Sequence, residues 1–191
     1  MVILYEVHDN LYVNMTNKCP CACTFCLRQT RDEMNHSGSL WLEREPSVEE
    51  VKNEFSKFDM NKYKEVVFCG FGEPTERLDD VLEVCRFIKD KYNKTIRINT
   101  KNTAPMFDGL IDIVSISLNT PNKERYLELT RSKFGIESFD AMIKFAENVK
   151  HYVKEVVLST VSTTLTEEEE KECADICKKI GVTYRIRPFE D

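Results

Sequence analysis

The chain has 191 residues, enough for one domain (1–191) that buries its own apolar core without disulfide staples. Its 33 acidic and 27 basic side chains leave a net charge of −6, which argues against non-specific binding to nucleic acid or membrane surfaces. No apolar run approaches the ~18 residues of a membrane span. The opening Met1-Val2-Ile3-Leu4-Tyr5-Glu6 has no basic leader, so the expected location is cytoplasmic.

Two short runs, Val2–Val7 and Leu11–Thr16, flank Asp9-Asn10 and read as strands of a hairpin. After the cysteine-rich segment and a polar stretch, Pro46-Ser47 opens a helix through about Phe58, with Ser47 and Glu50 spaced as a capping box. Strand and helix then alternate. Strands are expected at Glu65–Cys69, Thr95–Thr100, Ile111–Leu118, Val153–Val161 and Val182–Arg187. Helices are expected at Arg77–Tyr92, Lys123–Thr130, Ser138–Lys150 and Glu167–Ile180, the last capped by Thr166 and stopped by Gly181. Counting Leu11–Thr16 as the first, six strands alternate with helices. That pattern predicts an α/β fold, a partial (β/α)6 barrel or strongly curved sheet of parallel strands with outer helices. Function in such folds sits at the C-terminal ends of the strands.

Eight cysteines in a leaderless chain point to metal or catalysis rather than disulfides. Cys69, Cys85, Cys173 and Cys177 lie in apolar patterns and read as buried core. Cys19, Cys21, Cys23 and Cys26 fall within eight residues after the first parallel strand. Cys19, Cys23 and Cys26 form C-x3-C-x2-C, and thiolates so spaced can wrap one iron–sulfur cubane within a single loop. Three ligands on four irons would leave one iron open for chemistry. With Cys21 included, a four-thiolate zinc site is the rival, although a single loop is poor geometry for it.

The segment Phe68-Cys69-Gly70-Phe71-Gly72-Glu73-Pro74 ends the next strand. Glycines allow close backbone approach to a ligand, and carbonyls with a carboxylate can accept hydrogen bonds from a cationic amino group. By itself the segment also reads as a turn before a helix. Strand alternation places Arg97 with Asn99, Ser115 with Ser117 and Asn119, and Arg185 with Arg187 on polar faces. A polar interior suggests a ligand cavity, and the arginines suit either an anionic ligand or pairing with interior acids. Trp41 either packs beneath a long loop or covers the site. His8, His36 and His151 show no ligand spacing.

The C-x3-C-x2-C motif with Phe25 before its last cysteine resembles the signature of the radical S-adenosylmethionine superfamily, and Gly70–Glu73 resembles that family's glycine–glutamate motif. The resemblance implies Cys19, Cys23 and Cys26 as ligands of one [4Fe-4S] cluster, with Cys21 a non-ligand. It implies S-adenosylmethionine contacts from Phe25 near the adenine, from Gly70, Phe71, Gly72 and Glu73 around the methionine ammonium, and from Asn99, Ser117 and Asn119 on the ribose and carboxylate side. The stretches 10–14, 19–26, 40–46 and 68–78 further resemble small members named for association with TatD-family nucleases. The chain departs from that pattern at Asn99-Thr100-Lys101-Asn102.

Such an enzyme would reductively cleave S-adenosylmethionine to methionine and a 5′-deoxyadenosyl radical that takes hydrogen from a substrate. The expected partners are an electron donor such as a flavodoxin or ferredoxin, and a protein or peptide that completes the cavity, with neither membrane nor nucleic acid involved. A small substrate with self-dimerisation is the competing case. Two other classes stand beside the enzyme: a zinc-binding interaction module, and an electron-transfer protein that uses the cluster without cleaving the cofactor.

Overall fold

The computed structural model describes residues 1–100 and 105–188. They divide into two units: residues 1–19, 26–99 and 109–112, and residues 20–25, 100, 105–108 and 113–188.

In the first unit, β1 (Leu4–Val7) and β2 (Asn10–Val13) form the expected antiparallel hairpin, and His8 takes the left-handed backbone of its tight turn at φ 51°. Parallel β3 (Glu65–Phe68) and β4 (Thr95–Asn99) follow. Register sets the core. Leu11, Val66 and Ile96 form one row across β2, β3 and β4, and all three are fully buried. Among the described residues of this unit are two α-helices. α1 (Val48–Glu54) contributes buried Val51, and α2 (Leu78–Tyr92) contributes Val81, Val84, Cys85 and Ile88, a stripe at helical spacing. Ser47 and Glu50 make both bonds of the capping box. The helix is shorter than the sequence pattern suggested, because the chain tightens into a 3-10 turn at Phe55–Lys57. α2 ends on Asn93 in the left-handed region at φ 48°, a conformation asparagine tolerates.

In the second unit, β5 (Ile113–Ser117), β6 (Glu155–Val161) and β7 (Thr183–Arg187) are parallel. α3 (Lys123–Thr130), α4 (Glu137–Val149) and α5 (Glu167–Ile180) accompany them. Thr166 and Glu169 form a second capping box, and Gly181 stops α5 at φ 72°. β4 and β5 alternate buried and half-buried positions as the sequence pattern predicts, whereas β7 does not. Arg185, Ile186 and Arg187 are all exposed, and among the described residues β7 pairs with β6 alone, at the edge of the sheet. Cys85, Cys173 and Cys177 are buried as expected, but Cys69, at the C-terminal end of β3, is only half-buried.

No helix among the described residues is long and apolar enough to cross a membrane.

Candidate active site

The chain that leaves β2 and leads to Cys19 is held from two sides within the first unit. The side chain of Asn14 donates to the carbonyls of Leu40 (2.8 Å) and Val2 (3.2 Å). Asn17 takes both backbone groups of Leu42, donating to its carbonyl at 2.8 Å and accepting from its N–H at 3.1 Å. Thr16 Oγ1 donates to Glu45 at 2.7 Å and accepts from the N–H of Lys18 at 3.0 Å. From the other side, the Arg77 guanidinium donates to the carbonyls of Met15 (2.9 Å) and Pro46 (2.7 Å) and pairs with Asp80. Residues 40–46 thus act as a strap over residues 14–17. Sequence reasoning missed these four polar residues. The runs at 10–14 and 40–46 carry the signal, but their contact joins residues 25 or more apart.

The segment after β3 seats on the same stretch. A methyl group on Gly70 would meet Asn14 Oδ1 at 2.2 Å, and one on Gly72 would meet the carbonyl oxygens of Thr16 at 2.2 Å and Lys18 at 2.7 Å. Gly70 thus lies against the Asn14 side chain and Gly72 against the backbone before Cys19, contacts within the chain that the sequence did not reveal. The Glu73 N–H donates to the Lys18 carbonyl at 2.8 Å, which ties the glutamate to the residue before Cys19. The Glu73 carboxylate accepts from the N–H (3.3 Å) and hydroxyl (2.9 Å) of Thr75, capping the 3-10 turn Pro74–Arg77.

Phe71 turns its ring into a small core with Tyr5 and Leu40, and its carbonyl accepts from Arg28 at 3.4 Å. Trp41 meets that ring edge-on at 5.1 Å, and its indole N–H reaches Asp32 at 3.2 Å, so packing is the observed role of this residue.

Arg97 is spent on structure. It pairs with Glu65 of the neighbouring strand at 2.9 Å, in the row that holds Tyr12 and Val67. Burial, with a smaller contribution from the charge of Cys69 and Tyr12, pushes the Tyr5 phenol well above its usual range, and its hydroxyl donates to the Cys69 carbonyl at 3.1 Å. Burial also raises Tyr12, against the opposing influence of Arg97. Asn99 is half-buried on this face.

The second unit carries the middle of the cysteine loop. Residues 20–25 run beside the end of α3. The N–H groups of Ala22 and Thr24 donate to the carbonyls of Thr130 (3.0 Å) and Leu129 (2.9 Å), and the Lys133 N–H donates to the Pro20 carbonyl at 3.0 Å. Phe25 is 45% exposed. Ser117 ends β5 half-buried, and Asn119 follows at φ 65° with its N–H on the Ser159 carbonyl. Asn119 is 6% exposed, yet its side-chain Nδ2 has no hydrogen-bond partner among the described residues. A buried donor without an acceptor is costly, and a bound ligand would supply one. Of the expected site residues, Cys19, Cys26, Gly70, Phe71, Gly72, Glu73 and Asn99 thus belong to the first unit, and Cys23, Phe25, Ser117 and Asn119 to the second. Lys101 and Asn102 lie outside the described residues.

The donor types of these residues, thiols and amides, are those that an iron–sulfur cluster and a polar cosubstrate take. Cys19 is exposed and Cys21, Cys23 and Cys26 are half-buried, so the loop thiols are accessible as ligands rather than locked in core. Among the described residues no three His, Cys, Asp or Glu side chains converge as a metal site, so the fit rests on donor chemistry and on the orphaned Asn119 amide.

A family model described as the Radical SAM superfamily matches residues 13–185. A probable GTP 3′,8-cyclase of Methanocaldococcus jannaschii is 28% identical over 190 residues, covering 94% of this chain and 58% of the relative. Among solved structures, Streptococcus suis SuiB bound to its precursor peptide SuiA superposes with a TM-score of 0.72 at 17% identity, over 98% of this chain and 40% of SuiB. SuiB bound to S-adenosylmethionine gives 0.70 at 17% identity, over 94% of this chain and 40% of that one. The chain therefore spans little more than half the length of such curated relatives. These likenesses show the fold: α/β, of the partial-barrel type seen in these enzymes, as the strand–helix alternation predicted.

Proposed function

The chain belongs to the Radical SAM superfamily, and on that premise we propose that it cleaves S-adenosylmethionine reductively and directs the resulting radical at a peptide or protein. The superfamily consists of enzymes that use a [4Fe-4S] cluster together with S-adenosylmethionine. When bound, that pair supplies methionine and a 5′-deoxyadenosyl radical able to take hydrogen from a substrate; the protein's task is to position it and exclude water.

The observation that carries this reading is the junction between the two motifs. The Glu73 N–H bonds the Lys18 carbonyl, and Gly72 lies against the Thr16 and Lys18 carbonyls, so the glycine–glutamate segment is anchored next to Cys19. In this proposal Cys19, Cys23 and Cys26 hold the cluster within one core domain, residues 1–191. The carbonyls around Gly70–Gly72 and the Glu73 carboxylate receive the methionine ammonium, with Thr75 holding that carboxylate in place until then. Phe25 stacks near the adenine. Asn99, Ser117 and the unpartnered Asn119 amide bind the ribose and carboxylate side. An electron donor such as a flavodoxin or ferredoxin supplies the reducing electron.

The peptide substrate takes its support from the likeness to SuiB bound to its precursor peptide SuiA. A second reading takes GTP, favoured by the name of the M. jannaschii relative; exposed Arg185 would then be available to an anionic substrate.

Anaerobic reconstitution tests the proposal. The expected result is a brown protein with about four irons per chain that forms 5′-deoxyadenosine and methionine from S-adenosylmethionine under dithionite. A colourless protein with stoichiometric zinc, or iron without cofactor cleavage, would overturn it. Deuterium appearing in 5′-deoxyadenosine from labelled GTP would decide for the second substrate.

A further inference from the structure

The turn that follows α3 combines three features with its attachment to the cysteine loop. First, Phe134 is 62% exposed, the most exposed large apolar side chain among the described residues. Second, Arg131 and Lys133 are exposed and form no ion pair among the described residues, while Lys133 Nζ stands 5.1 Å from the Phe134 ring. Third, no acid interrupts the stretch between Glu128 and Glu137, so this turn is locally cationic on a chain of net charge −6. The attachment is direct. The Lys133 N–H bonds the carbonyl of Pro20, the residue between Cys19 and Cys21, and Thr130 and Leu129 bond Ala22 and Thr24.

We infer that this turn, with Arg131, Lys133 and Phe134, is the docking surface for an acidic one-electron carrier protein. The inference rests on the cluster reading above. An acidic carrier is repelled by most of this acidic chain and attracted here, and such steering acts on encounter rate as well as affinity. An exposed aromatic next to Lys133 and three residues from Arg131 suits a small, transient interface of the electron-transfer kind. The carrier's reduced cofactor loses one electron and the cluster gains it; no bond forms or breaks and no proton moves. Docking here brings the carrier within one backbone hydrogen bond of the peptide that joins two loop cysteines.

The test uses cluster-loaded protein and an acidic flavodoxin as probe. Binding is read by isothermal titration, and cluster reduction by stopped-flow absorbance. Wild-type protein should bind the flavodoxin, more weakly as salt rises from about 50 to 300 mM. R131E/K133E should raise the dissociation constant and slow flavodoxin-driven cluster reduction, each about tenfold or more. Dithionite-driven formation of 5′-deoxyadenosine should be unchanged in that variant. The equal charge change K178E/K179E, on the exposed end of α5, should leave both readouts near wild type. Phe134→Ser should weaken binding without altering its salt dependence. Wild-type affinity in R131E/K133E, or equal losses in the α5 control, would overturn the docking surface while leaving the enzyme intact. Failure of the wild type with dithionite would instead overturn the underlying reading, and this inference with it.

Discussion

Gly70 and Gly72 look alike in the sequence, but their neighbours differ in kind. A Cβ at 70 meets the side chain of Asn14, which can shift at the cost of its own hydrogen bonds. A Cβ at 72 meets two backbone carbonyls that belong to the approach to Cys19 and cannot rotate away. Gly72→Ala should therefore cost more stability than Gly70→Ala, with the latter near the ~1–3 kcal/mol typical of overpacking. Urea denaturation of the two variants checks the order, and equal midpoints would contradict it. Asp112 makes the same point from the polar side. It is 6% exposed, and its carboxylate is paired by Lys89 and by the Ile96 N–H, so an acid that the sequence pattern places inside a strand is a buried brace just before β5.

At the scale of elements, helix ends were the most legible feature, because capping is local chemistry within four residues. Ser47 with Glu50, Thr166 and Gly181 all take the predicted roles, and Glu169 adds a capping box to Thr166. Glu50 carries a pH dependence. Its bond to Arg44, then that to the Ser47 backbone, lowers its carboxyl from 4.5 to about 2. A lowered folded-state value means stabilisation that is complete above the unfolded value near 4.5 and is lost as pH falls toward about 2. The stability difference between wild type and Glu50→Gln should then be constant above about pH 5 and close between 4.5 and 2. Denaturation midpoints of both proteins over that range check it, and a pH-independent difference would count against the bond. Strand faces were less legible. The alternation in β4 and β5 holds, but β7 exposes both arginines and Ile186, because alternation in a sequence does not say whether a strand has a second neighbour.

For the whole molecule, the question is which thiols carry the cluster. In the proposed ligand set Cys21 stands outside, bracketed by the backbone bonds of Ala22 to Thr130 at the end of α3 and of Pro20 to Lys133 just beyond it. Cys21→Ala should retain iron and the cluster absorption after anaerobic reconstitution, whereas Cys23→Ala should lose both. Loss of the cluster from the Cys21 variant would reassign the ligands. The likeness to larger enzymes sets the scale of the substrate question too, since the matched region is 58% of the cyclase and 40% of SuiB.

The sequence by itself determined the family, the cysteine loop, the order of strands and helices and their caps. Each of these depends on residues close together in the chain, where spacing alone dictates geometry. Only the tertiary structure decided why the glycines are glycines, that Arg97 is consumed by Glu65, that residues 40–46 clamp residues 14–17, and that the cysteine loop leans on the end of α3. Those facts are pairings across 25 to more than 100 residues, set by sheet register and close packing, which leave no local pattern to read.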